Sequence, residues 1–130
     1  MINNVELIKI NYISEMNGDI SFLETPFDVK RIFYVSMVKP SYIRGHHAHK
    51  KCKQLLICIK GSVDIICDNL ESERKFCISS SDNIGLYIPP MVWSSQFYQS
   101  RDTILVGLAS HPFDESDYIR DYEEYKDLIS

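Results

Sequence analysis

Short apolar segments follow one another along the chain between turn residues, and helical periodicity appears only at its C-terminal end. That pattern restricts the chain to an all-β architecture with at most one helix. The segments read as strands are residues 5–11, 20–23, 30–38, 54–60, 62–67, 74–79, 84–88, 94–98 and 103–109. Gly18, Gly61, Asp68-Asn69, Asp82-Asn83 and Pro89-Pro90 punctuate them, supplying the backbone conformations that tight turns need. Residues 55–59 are apolar without a break, as expected of a strand covered on both faces. Many short strands without intervening helices favour two packed sheets, a sandwich or a barrel. After Pro112 the run Asp114-Glu115-Ser116-Asp117 offers helix caps, and Tyr118, Tyr122, Tyr125 and Ile129 follow at helical spacing. One amphipathic helix over residues 118–129 is therefore expected, packed on the barrel or on a partner.

The length of 130 residues and a uniform composition, 45% apolar and 25% charged, fit a single domain spanning 1–130 with a core and one modest pocket. Fourteen Lys and Arg against eighteen Asp and Glu leave a net charge of −4, so no general field draws a nucleic acid, and an anionic ligand needs a local basic site. No segment approaches the ~20 apolar residues of a membrane span, and residues 1–9 lack the apolar centre of a secretory signal. A soluble, cytoplasmic protein is expected, with no membrane partner. Cys52, Cys58, Cys67 and Cys77 show no C-x-x-C pairing, and all but Cys52 lie in apolar runs, which reads as buried free thiols.

Three of the four histidines fall in Arg44-Gly45-His46-His47-Ala48-His49-Lys50-Lys51. If this segment is extended, His47 and His49 point to one face and His46 to the other, so two imidazoles share a pocket. The spacing resembles the cupin family. Gly45 and His47-x-His49 are followed by four residues and then Gln54, and by six more and then Gly61; a second segment runs from Gly85 through Pro89 to Ser94. The resemblance implies a jelly-roll barrel, the double-stranded β-helix. In metal-binding cupins the Gln54 position carries a glutamate and the Ser94 position a third histidine. Two imidazoles alone make a weak metal site, so no metal and no other cofactor is expected, and His47 and His49 are left for proton transfer. His111, outside both segments, reads as structural or exposed.

Arg44-Gly-x-His-Ala-His-Lys, Gln54-Leu-Leu-Ile-Cys, Lys60-Gly-Ser-Val, Gly85-Leu-Tyr-Ile-x-Pro-x-Val-Trp93 and Asp117-Tyr-Ile-Arg-x-Tyr122 together resemble the WxcM-like sugar 3,4-ketoisomerase family, from about Asn3 to the C-terminus. The resemblance implies a metal-free cupin homodimer acting on dTDP-4-oxo-6-deoxy-D-glucose, moving the carbonyl from C4 to C3. It implies too that a pyridoxal-phosphate aminotransferase takes the product toward 3-amino-3,6-dideoxy sugars. By the match, His49 is the candidate base at C3 and His47 the second proton carrier, between the oxygens or at C4. Gln54 and Tyr87 are candidate donors to the enediolate, although Tyr87 reads equally as a packed aromatic. Arg44 and Arg31 are candidates for the diphosphate, because a planar guanidinium binds phosphate oxygens in pairs. Trp93 either borders the sugar pocket or packs beneath it.

Two positions that vary with the product's C4 configuration in the family align with Asn17 and Ser94. Small side chains at both leave room for water as the proton donor, and the expectation leans to the 3-oxo-6-deoxy-galactose product over the glucose type. Two other readings stay open at this level: a metal-dependent cupin enzyme using His47, His49 and a further ligand, and a non-catalytic cupin that only binds a sugar nucleotide.

Overall fold

The computed structural model describes residues 4–130. Two five-stranded antiparallel sheets face each other. In chain order the elements are β1 (Glu6–Lys9), β2 (Asn11–Glu15), β3 (Gly18–Phe22), β4 (Arg31–Val35), β5 (Ile43–His49), β6 (Gln54–Lys60) and β7 (Ser62–Asp68). There follow β8 (Glu73–Ser79), β9 (Ile84–Ile88), β10 (Trp93–Tyr98), β11 (Ile104–Ala109), β12 (Tyr118–Ile119) and α1 (Tyr122–Ile129). One sheet has the order β1-β9-β6-β11-β4 and the other β12-β5-β10-β7-β8, so most chain neighbours lie in opposite sheets. This is the expected jelly roll with one C-terminal helix. Strands β2 and β3 form a hairpin that pairs with neither sheet.

Strand alternation builds the interior. Leu56, Cys58, Leu86, Ile88 and Leu105 of the first sheet meet Val63, Ile65, Cys67, Phe76, Ile78 and Tyr98 of the second. Each large apolar side chain so buried contributes roughly 1.5–3 kcal/mol. The same alternation carries polar groups inward at one end only, where Gln54 continues the Leu56 face of β6 and Ser94 and Gln96 continue the Tyr98 face of β10. The barrel is thus closed by apolar packing over most of its length and lined by chemistry at one mouth.

Several elements depart from the sequence-based expectation. The His-rich segment is the strand β5, whose residues after Ile43 lack β-branched character and whose extended form is imposed by pairing with β10 and β12. The helix is shorter than expected. Tyr118 and Ile119 pair as strand β12 with His49 and Ala48, and α1 begins only at Tyr122, with the Asp121 carboxylate accepting from Glu123 N–H as its cap. Asp114 caps a separate 3-10 turn at Glu115–Asp117. Tyr125 and Ile129 hold α1 on the barrel through Trp93, Ala48 and Ile119. Of the thiols, Cys52, Cys58 and Cys67 are buried, but Cys77 is exposed, because β8 is an edge strand and its alternate residues face solvent. His111 is exposed. Among the described residues, no helix is long and apolar enough to cross a membrane.

Candidate active site

A β-bulge in β5 assembles the site. Opposite β10, Gln96 pairs with Arg44, Ser95 with Gly45 and Ser94 with His47, so His46 is the extra residue. Strict alternation sends Arg44 and His47 to opposite faces. The bulge, with Gly45 at φ +74° and His46 at φ +59°, turns both inward. A side chain at Gly45 would stand 3.3 Å from the Ser94 carbonyl oxygen, so glycine suits both the conformation and the space. His46 is turned outward, its Nδ1 2.9 Å from Ser95 Oγ and its ring against Trp93.

The resulting pocket, about 190 Å³, is lined by Phe33, Val35, Arg44, Gly45, His47, Gln54, Gln96, Tyr118 and Arg120. His49 stands behind His47, ring centroids 5.0 Å apart and nearly perpendicular. Tyr118 packs against both imidazoles, at 5.0 Å from His47 and 4.4 Å from His49.

The hydrogen bonds of the two histidines define their tautomers. His49 Nδ1 is 3.0 Å from Asp117 Oδ2, and His47 Nδ1 is 3.0 Å from the Gly45 carbonyl oxygen. Carboxylate and carbonyl oxygens only accept, so each imidazole carries its proton on Nδ1 and presents a lone pair at Nε2. His49 Nε2 is buried without a hydrogen-bond partner, which is the arrangement a base requires before substrate arrives. The Asp117 carboxylate is itself fixed by the backbone N–H groups of Lys51 at 2.7 Å and Cys52 at 3.3 Å.

Burial holds both imidazoles neutral. It pushes the His47 pKa down to about 4, with the neighbouring His49 adding to the shift, and it lowers His49 in spite of the opposing Asp117 carboxylate. The unfolded chain takes up a proton near 6.5, whereas folded His47 resists it until about 4. The unfolded state therefore binds more protons between these values, and stability contributed by neutral His47 is complete above 6.5 and lost as pH falls through the window. Thermal melts between pH 7 and pH 4 should show Tm falling across that interval, with His47→Asn flattening the dependence.

Arg31, inward on β4, donates from Nη1 to Tyr118 Oη at 3.2 Å and lies 5.8 Å from both the Phe33 and Phe113 ring centroids. Neither Arg31 nor Arg44 makes an ion pair among the described residues. Arg120 stacks 4.2 Å over the Tyr118 ring and is held by Glu115 through two bonds of 2.6 and 2.9 Å.

The structure brings Arg31, Arg44, His47, His49, Gln54 and Ser94 to one end of the barrel, and separates the other three sequence candidates from it. Tyr87 pairs with Leu55 while Gln54 pairs with Ile88, so Tyr87 lies on the outer face of its sheet, against Phe27. Trp93 is buried on the outer side of β10 with Tyr122 and Tyr125. Trp93→Phe should lower Tm by several degrees and leave KM for a pocket ligand near that of the wild type, as packing rather than ligand contact requires. Asn17 sits in the tip of the β2–β3 hairpin, whose Ser21 and Phe22 line a cavity with Ile57, Cys58, Ile59, Ser79, Ser80, Asn83 and Ile84, away from Gln54.

Gln96, Asp117, Tyr118 and Arg120 were not among the residues expected at the site. The closing Asp-Tyr-Ile-Arg motif contained three of them, but only the pairing of β12 with β5 reveals that it faces the histidines.

The donor set does not fit a cupin metal. Gln54 and Ser94 replace the anionic and third imidazole ligands, leaving only the imidazoles of His47 and His49 from the cupin ligand positions. His49, Cys52 and Asp117 do cluster. That carboxylate already accepts three N–H groups, however, and the Arg31 guanidinium lies 3.9 Å from Cys52 Sγ, a poor setting for a cation.

Comparison with known proteins gives the family. The family model described as FdtA, WxcM-like, C-terminal, matches residues 3–130. The chain belongs to this family. Its relatives include TDP-4-oxo-6-deoxy-alpha-D-glucose-3,4-oxoisomerase of Aneurinibacillus thermoaerophilus, 35% identical over 96% of this chain and 92% of that protein. The crystal structure of the sugar 3,4-ketoisomerase QdtA from Thermoanaerobacterium thermosaccharolyticum, in complex with TDP, superposes with a TM-score of 0.93 at 39% identity, covering 99% of this chain and 96% of QdtA. The TDP-quinovose 3,4-ketoisomerase WlaRB of Campylobacter jejuni gives 0.89 at 35% identity, covering 95% and 98%. The rmlC epimerase of Mycobacterium tuberculosis, at 12% identity and a TM-score of 0.80 over 90% of this chain and 68% of its own, shares the fold. As a member of the WxcM-like family the chain is an isomerase with a cupin fold.

Proposed function

We propose that this protein is a TDP-sugar 3,4-ketoisomerase that converts dTDP-4-oxo-6-deoxy-D-glucose to a 3-oxo-6-deoxy-hexose by histidine-mediated proton transfer, without a metal. The observation that carries the reading is the pair of neutral imidazoles with free Nε2 atoms at one barrel mouth, one of them backed by a carboxylate. A histidine-to-asparagine mutant of QdtA in complex with TDP-4-keto-6-deoxyglucose, 38% identical and covering 99% of this chain, supports the substrate class.

The C4 ketone acidifies the hydrogen at C3. His49 Nε2 removes that proton, the electrons of the C–H bond form the C3–C4 double bond, and the ketone oxygen becomes an enediolate oxygen. His47 starts deprotonated at Nε2, so it acts by accepting before it donates: it takes the O3 proton and delivers it to O4. Return of a proton to C4, from a water that the His49 imidazolium then reprotonates, leaves the carbonyl at C3, so one C–H and one O–H proton move and nothing else is consumed. The Gln54 amide donates to the developing oxyanion. Arg31 and Arg44, free of carboxylate partners, bind the diphosphate.

We propose the galactose configuration at C4, because Ser94, inward beside His47, leaves space for a water to supply the proton. We propose that Asn17, remote from the pocket of its own chain, serves the pocket of a second copy in a homodimer. This agrees with the exposure of Met16, Ile13, Ile20 and Phe22 on that hairpin and with the homodimer proposed here. The product, a ketone at C3, suits a pyridoxal-phosphate aminotransferase as the next step toward an amino sugar.

Proton NMR of the reaction product tests the reading. A 3-oxo isomer with a small H4–H5 coupling is the expected result, since H4 is equatorial in the galactose series. A large coupling would assign the glucose type, and nucleotide binding without any isomer would favour a non-catalytic binding protein.

A further inference from the structure

Gln96 lies in the pocket lining, is buried, and has its side chain held from one end only. The buried Tyr98 hydroxyl donates to Gln96 Oε1 at 2.8 Å. Burial pushes that phenol pKa up, so it remains a donor at any working pH. An amide whose oxygen is fixed as acceptor must present its NH2 group in the other direction. Here that direction is the pocket. Gln96 pairs across the bulge with Arg44, its Nε2 is 3.5 Å from the Cβ position of Gly45, and Ser94, two residues away on the same face, pairs with His47.

We infer that Gln96 is a substrate-binding residue, its amide N–H donating to a sugar oxygen next to the reacting carbons, and that Tyr98 is a positioning residue that fixes which end of the amide the substrate meets. The inference rests on the ketoisomerase reading. A carbonyl or enediolate oxygen accepts only, so a fixed donor favours it throughout the reaction, whereas a flipped amide would present a repelling oxygen. Tyr98 reaches no substrate itself.

The test is a double-mutant cycle in full-length protein with dTDP-4-oxo-6-deoxy-D-glucose, following formation of the 3-oxo isomer; turnover by the wild type decides the underlying reading separately. Gln96→Glu keeps the size and the acceptor for Tyr98 but offers no N–H, and kcat/KM should fall about 100-fold, in line with the loss of a charge-stabilising donor. Tyr98→Phe frees the amide to rotate and should lower kcat/KM about 5- to 10-fold. In the Gln96→Leu background the same Tyr98→Phe change should cost nothing further. Equal losses from Tyr98→Phe in both backgrounds would reduce Tyr98 to packing, and a Gln96→Glu enzyme of wild-type kcat/KM would overturn the role of Gln96. Should the Gln96 variants fail to fold, the side-chain amide resonances of Gln96 in His49→Asn protein provide a direct readout: a shift on adding the sugar nucleotide supports the contact, and its absence rejects it.

Discussion

His49→Asn should abolish turnover, lowering kcat at least 1,000-fold, while affinity for the nucleotide stays within a few-fold of the wild type. Asparagine keeps a polar group near Asp117 Oδ2 but has no basic nitrogen at the position of Nε2, the buried atom that stands without a partner. General-base catalysis contributes roughly 10²–10⁴-fold, and removal of the base from the first C–H cleavage sits at the upper end of that range. The companion variant His47→Asn should behave differently. On the proposed mechanism it removes the relay between O3 and O4 but leaves the C–H base in place, so hydrogen exchange at C3 should outlast net isomerisation. Exchange measured in deuterated buffer for the two variants separates these roles: normal exchange in His49→Asn would reassign the base.

The second large effect is expected at Asp117, which touches no substrate. Its carboxylate accepts from His49 Nδ1 and from the backbone N–H groups of Lys51 and Cys52, and so sets both the imidazole tautomer and the path of the chain after β5. Asp117→Asn retains the shape but introduces an NH2 group that can donate to His49 Nδ1. The ring proton then moves to Nε2 and the base is lost. A loss of roughly 10²–10⁴ in kcat with little change in KM is expected, as for other histidines deprived of their orienting carboxylate. A pH–rate profile checks the cause. If Asp117 acts through the tautomer, a loss in kcat persists across the plateau; an intact kcat would show that burial alone orients His49.

The fold was legible because hydrophobic runs and turn residues are local signals. Segments 54–60 and 84–88 match β6 and β9 at both ends. β5 was harder, since Gly45-His46-His47-Ala48-His49 owes its extended form to neighbours distant in sequence. The helix was over-extended for a related reason: Tyr118 shares helical spacing with Tyr122 and Tyr125, yet its backbone is captured by His49.

At the site, His47, His49, Gln54 and Ser94 were legible from cupin spacing, and Arg31 and Arg44 only from the family resemblance. Asp117 lies 68 residues from His49, and Gln96 resembles any polar residue in a strand until its inward face and its bond from Tyr98 are seen. Tyr87 and Trp93 were drawn in by neighbouring motif residues, whereas alternation along β9 and β10 turns each of them to the outer face.

We propose that a neutral, carboxylate-backed histidine carries a proton off C3 of a 4-oxo sugar. The most direct measurement is proton NMR of dTDP-4-oxo-6-deoxy-D-glucose in deuterated buffer with chelator-treated wild-type protein. Loss of the C3 proton signal together with growth of a 3-oxo isomer is the predicted result. A C3 signal that persists unchanged in protein shown to bind the nucleotide would contradict the account.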